Sequence, residues 1–277
     1  MHRPTGFTAL LFAAMQLIAV VPVPVAAQAD SQLWRWVDAE SVFCVWYLAD
    51  PEVAAELVPP DIRLRPASAT ASVPEVLLRI VQDEPRFAEW IPGMFCVGRY
   101  SAVAADGIPA GTTDKGRPML LTLSALAAAS AYGQDAGWQL TQIGLDAGRM
   151  RQVANDARIG GEQARIRDRT GLAGEDTQWE LAIEGVKLIW SGHTSGAARV
   201  GSTRSMSFGY AGSQNSMWLV EFRNAPSEEQ SQVGALRIEG DSPLARALKS
   251  SPMRTVGPLG RGGETTLSFR RLVSGTP

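Results

Sequence analysis

Lysine is nearly missing from this chain. It occurs at Lys115, Lys187 and Lys249 only, against 23 arginines in 277 residues. Codon choice in a GC-rich genome accounts for the bias, but any lysine chemistry then has just three places to occur. Two histidines make a histidine-based metal centre a poor expectation, and two cysteines cannot build a disulfide scaffold. A net charge of −2 gives no electrostatic footprint for nucleic acid. With 45% hydrophobic and 19% charged residues, the chain is too apolar for disorder and too mixed for a membrane bundle.

The first 29 residues read as a cleaved secretory signal. Arg3 supplies a positive start, an apolar run from Phe7 to Val21 follows, Pro22 and Pro24 end it, and Ala27-Gln28-Ala29 is a small-residue cleavage site. Cleavage leaves residues 30–277 as one domain in the periplasm or outside the cell. No later run is long and apolar enough to span a membrane. The mature chain has 25 basic and 28 acidic residues and a single histidine, His193. His193, in Gly192-His193-Thr194-Ser195-Gly196, reads as a solvated polar residue. Cys44 and Cys96 each sit in a strand-like apolar run. They are two buried free thiols, or one disulfide joining neighbouring strands.

Strands are expected at Ser41–Leu48, Gly93–Val103, Ser205–Tyr210, Ser216–Phe222, Val233–Ile238 and Thr265–Val273. The alternating runs at Trp179–Ile183 and Val186–Trp190 flank Gly185 as a hairpin. Asp50-Pro51-Glu52 and Ser242-Pro243 are helix starts. Ser72-Val73-Pro74-Glu75 has capping-box spacing. Asp146–Ala157 reads as an amphipathic helix. Gly107–Gly116 reads as a loop, Pro118–Ala131 begins as a strand and becomes alanine-rich, and Gly257–Gly263 is a glycine-rich loop. The pattern predicts one α+β domain with an antiparallel barrel- or cone-like sheet and a few flanking helices.

There is no G-x-S-x-G elbow, no phosphate-binding glycine loop between strand and helix, and no C-x-x-C. Glu89, between Phe87 and Trp90, is the most plausible titrating acid, because apolar neighbours raise a carboxyl pKa. The tryptophans are expected to be mostly core, with a few lining a pocket.

The order of features resembles the acetoacetate decarboxylase family. The matching segments are Phe43–Pro60 (strand, Asp-started helix, Pro-Pro end), Phe87-Ala88-Glu89 with Phe95–Tyr100, Asp146–Ile166, and Gly234–Leu244 with the closing strand. The resemblance implies a barrel-like fold, a ligand pocket and an active-site role for Glu89. It also implies a lysine at the turn Gly160-Gly161-Glu162-Gln163, where a neutral amine would form a Schiff base with a keto acid. That turn has no lysine, and the family's arginine before the first strand falls near Glu40. The expectation is therefore an exported protein without the decarboxylase lysine. It would bind a small, partly apolar carboxylate or ketone and need no cofactor or metal. Trp46, Trp90, Arg99 and Gln163 are the candidate ligand contacts. The alternative is a lyase or hydrolase using Glu89 with Glu162 as general acid and base.

Overall fold

In the computed structural model, the described residues are 31–70, 73–105, 108–112, 119–131, 134–135, 137–145, 162–170, 176–183, 185–211 and 217–272. The expected signal segment and 146–157 helix, together with Ser72, Lys115 and Gly160-Gly161, lie outside them.

The described chain is mostly strand. In order, β1 is Ser31–Ala49, β2 Ile62–Leu64, β3 Ile91–Ala105, β4 Ile108–Thr112, β5 Met119–Ala131, β6 Gln134–Asp135, β7 Trp138–Leu145 and β8 Glu162–Thr170. These are followed by β9 Asp176–Ile183, β10 Val186–Val200, β11 Arg204–Ala211, β12 Met217–Ala225 and β13 Glu228–Gly240. The last three are β14 Arg254–Val256, β15 Leu259–Arg261 and β16 Glu264–Leu272. The α-helices are α1 Pro51–Ala55, α2 Glu75–Asp83 and α3 Pro243–Ser250.

Local chemistry explains several boundaries. The Asp50 carboxylate accepts from the amides of Glu52 (2.9 Å) and Val53 (3.4 Å), which satisfies donors left free by the first turn of α1. Ser242 does the same for α3 through the Ala245 amide at 3.2 Å. The β9–β10 hairpin turns at Gly185, whose φ of +68° is open to glycine at no steric cost. The expected capping box at α2 is replaced: Pro74 holds the cap position, with no side-chain cap. The segment expected to be a 107–116 loop contains β4, and the alanine-rich end of β5 stays extended.

The strand pairings close on themselves in two circuits. One runs β1–β3–β5–β7–β11–β12–β16 and back to β1. The other leaves β7 through β8–β9–β10–β13–β15 and returns to β1. The closing contacts of β7 with β8 and with β11 are parallel, so the sheet is mixed, not wholly antiparallel as expected.

Both circuits share β3, β5, β7 and part of β1. Alternate residues of a strand point to opposite faces, and here each face is a core. Met94, Cys96, Tyr100, Leu121, Leu123 and Ala125 join a first cluster with Trp34, Trp36, Phe208, Phe222 and Phe269. Phe95, Val97, Leu120 and Leu126 join a second with Phe43, Val45, Tyr47, Trp179, Leu181, Leu188, Trp190 and the inner face of α3. A small third cluster gathers Leu48, Ala67, Leu77 and Phe87 under α2.

Cys44 and Cys96 are directly opposite in the β1–β3 register and form a disulfide, with no free cysteine in the chain. The free-thiol expectation gives way because register alone brings the two Cα atoms to 3.9 Å. The bond closes a loop of sequence separation 52. Replacing both residues (Cys44→Ala with Cys96→Ala) is expected to lower stability by about 2–4 kcal/mol, read from the urea midpoint. A loss under about 1 kcal/mol would show that the sheet alone fixes this pairing.

Candidate functional site

Strand β5 is buried on both faces, so polar residues on it need a reason. Thr122 and Ser124 are each 1% exposed and alternate with Leu120 and Leu126, which places both hydroxyls on the second-cluster face. Register assembles the surroundings. Phe43, Val97, Thr122 and Gly144 form one row across β1, β3, β5 and β7. Val45, Phe95, Ser124 and Gln142 form the next, and Tyr47, Gly93, Leu126 and Gln139 the one after.

Gly93 is what lets Tyr47 join this group. A Cβ there would lie 2.3 Å from Tyr47 Cζ, so the ring crosses β3 only because position 93 has no side chain. The Tyr47 phenol reaches the Ser124 hydroxyl; burial pushes its pKa up and the Ser124 contact pulls it partly back. Beyond each other, neither hydroxyl has a hydrogen-bond partner among the described residues, and neither do Thr122 Oγ1, Gln139 Oε1 and Trp179 Nε1. Such groups are rare in folded proteins and cost about 1–3 kcal/mol each. The first cluster also holds unpartnered donors, the indole nitrogens of Trp34, Trp36 and Trp218, but the unpartnered hydroxyls of Tyr47, Thr122 and Ser124 gather on the second face and mark a polar site inside an apolar shell. Phe43 lies against Trp179 with ring centroids 4.7 Å apart, and Trp179 stacks on Trp190 at 6.3 Å.

The residues expected from sequence are scattered by this architecture. Glu89 is exposed, in the turn before β3. Its neighbours turn the other way: Phe87 is buried and packs edge-on against Trp90, with centroids 5.1 Å apart, in the third cluster. Trp46 faces the first cluster and meets Trp138 edge-on at 5.7 Å. Arg99 lies on the second face and pairs with Glu40 at 2.9 Å. Glu162 and Gln163 begin β8, their backbones paired with Gly144 and Leu145. Glu162 thus continues the row of Thr122. Ile91, where β3 begins, is six residues from Val97 in that row, a strand path of about 20 Å. The backbone therefore does not bring Glu89 and Glu162 together.

The two described lysines add nothing to the interior. Lys187 is flanked by Glu180 (3.1 Å) and Glu239 (3.8 Å) on the outer face of β10, as expected of a solvent-facing strand lysine. Lys249 is exposed and donates to the Gly240 carbonyl. His193 is exposed on β10.

No protein-family model matches the chain, and no curated protein does. Solved structures are similar at low identity. Acetoacetate decarboxylase from Legionella pneumophila shares 10% identity over 87% of each chain, with a TM-score of 0.47. An acetoacetate decarboxylase-like enzyme from Sphingomonas wittichii shares 10% over 88% of this chain and 92% of that one, at 0.44. An enduracididine biosynthesis enzyme, MppR, complexed with pyruvate shares 10% over 87% of each, also at 0.44.

Two buried phenols, Tyr100 in the first core and Tyr47 in the second, give the fold a pH signature. Burial raises both Tyr47 and Tyr100 above the ordinary 10.0, with Thr265 (2.7 Å from the Tyr100 hydroxyl) pulling the second partly back. The unfolded chain releases these protons near pH 10 and the folded one does not. Stability is therefore constant below that pH and falls above it, by about 1.4 kcal/mol per pH unit for each phenol. Absorbance titration at 295 nm should show Tyr47 and Tyr100 ionising only as the protein unfolds. Four phenols titrating together near pH 10 in folded protein would contradict the burial.

Proposed function

We propose that this chain is an exported protein of acetoacetate-decarboxylase-like type. It binds a small, partly apolar carboxylate or ketone in its second interior and does not carry out Schiff-base decarboxylation. The observation that carries the reading is the group of buried, underpaired hydroxyls of Tyr47, Thr122 and Ser124 on an otherwise apolar face. Ligand oxygens would complete those hydrogen bonds, while Phe43, Val97 and Trp179 offer apolar contact. This is the usual composition of a small-molecule site.

Three further facts support it. The order of sequence motifs resembles that family. The turn at 160–163 has no lysine, and the two described lysines both stand outside the interiors. Covalent imine formation requires a neutral amine, and no lysine among the described residues stands where it could serve the decarboxylase route. The apolar, small-residue-ended first 29 residues together with the Cys44–Cys96 disulfide suit export to an oxidising compartment. The alternative, acid/base catalysis by Glu89 with Glu162, has less behind it, because Glu89 is exposed and the two stand in different parts of the sheet.

Two measurements test the proposal. Sodium borohydride added with acetoacetate should leave the intact mass unchanged, and a reduced adduct on any lysine would overturn it. A thermal-shift screen of short carboxylates and ketones should find members that raise Tm. At a hundredfold excess over Kd the gain is about 2.7 kcal/mol, or roughly 5–10 °C for a domain of this size.

A further inference from the structure

We infer that the interior lined by Tyr47, Thr122 and Ser124 selects an uncharged ligand, a small apolar molecule bearing a carbonyl or hydroxyl oxygen, over the carboxylate of the same skeleton. This rests on the ligand-binding reading above and narrows it.

From β1 to β7, the polar groups in the three rows through Thr122, Ser124 and Tyr47 are neutral. The three rows through Thr122, Ser124 and Tyr47 contain no lysine or arginine at any register position from β1 to β7, and β8 extends the first of them with Glu162. The cation nearest in register is Arg99, one row beyond Thr122, and it is held in an ion pair by Glu40. A β-bulge between Ala39 and Ser41 makes that pair: the extra residue, Glu40, faces Arg99 along with Ser41. The opposite wall, from β9, β10 and α3, presents Trp179, Leu181, Leu188, Trp190, Leu244 and Leu248.

The donor set matches a neutral oxygen. Burial keeps the Tyr47 phenol protonated, so it can donate, and the Trp179 indole N–H donates only. The Thr122 and Ser124 hydroxyls rotate to donate or accept. Gln139 has already used its amide nitrogen on the Leu140 carbonyl at 3.1 Å, leaving its oxygen as an acceptor. A ketone accepts from the phenol or a hydroxyl, and an alcohol can also donate to Gln139. A carboxylate brings a full charge into an apolar shell whose nearest described cation in register, Arg99, already pairs with Glu40. That desolvation costs far more than a single neutral hydrogen bond returns.

The test compares 2-hexanone with hexanoate on the intact mature chain at pH 7.5, by ligand-observed NMR titration. Expected is at least tenfold tighter binding of the ketone, weakened at least fivefold in Thr122→Val/Ser124→Ala. Tyr47→Phe, which keeps the ring, serves as a second variant should the double variant fail to fold. Hexanoate binding as tightly as the ketone, and weakened by either variant, would overturn the neutral selectivity while leaving the binding site in place. Binding of neither probe, or binding of the ketone unchanged in the folded variants, would overturn the site itself and the selectivity with it.

Discussion

The fold depends on β3, β5 and the second half of β1 having no solvent face. Each successive residue goes to a different hydrophobic core, so the period-two alternation that normally separates inside from outside here separates one inside from another. A slip of one residue between β3 and β5 would exchange Thr122 and Ser124 with Leu121 and Leu123, putting hydroxyls among the first-cluster aromatics. Register is therefore fixed by two cores at once. The Cys44–Cys96 bond sits at the pair that β1 and β3 hold directly opposite, in the middle of the longest ladder in the sheet.

The same constraint explains the composition of the shared strands. Between two packed faces there is little room, so β5 ends in Ala125, Ala127 and Ala128, all buried. Where a large side chain must cross a neighbouring strand, that strand gives up its own side chain, as Gly93 does beneath Tyr47. Alanine and glycine are poor strand formers in isolation. They serve here because burial on both faces, not intrinsic propensity, holds the strand extended.

Legibility in the sequence follows from this. Elements with one wet face were readable: the β9–β10 hairpin alternates with polar residues around Gly185, and α1 and α3 carry Asp50 and Ser242 at their starts. The alanine-rich half of β5 and the strand character of β8 were not, since neither has the apolar-polar alternation of a half-buried strand. The site was harder still. Glu89 drew attention through its aromatic neighbours, yet in a tight turn consecutive residues diverge: Phe87 goes inward and Glu89 to solvent. Arg99 was placed on the interior face of the sheet, and Trp46 on the other core. The signal that pointed to Thr122 and Ser124 was present but quiet. Two hydroxyls two residues apart interrupt a run, Met119–Ala128, that is otherwise wholly apolar.

Those hydroxyls also bear on why a stable sheet would keep them. Valine at 122 or alanine at 124 would fit the shared strand and remove a buried group that forms too few hydrogen bonds, so stability alone favours the apolar residue. A donor retained against that gradient stabilises the protein only when something else accepts from it. Binding free energy and folding free energy are then linked through the same atoms: a ligand that completes the bonds of Tyr47, Thr122 and Ser124 stabilises the folded state in proportion to RT ln(1 + [L]/Kd). The lysine-poor composition fits the same economy. An ammonium placed among these groups would either need a buried counter-charge or lose its proton, whereas hydroxyls hold an oxygen in an apolar interior without bringing a charge into it.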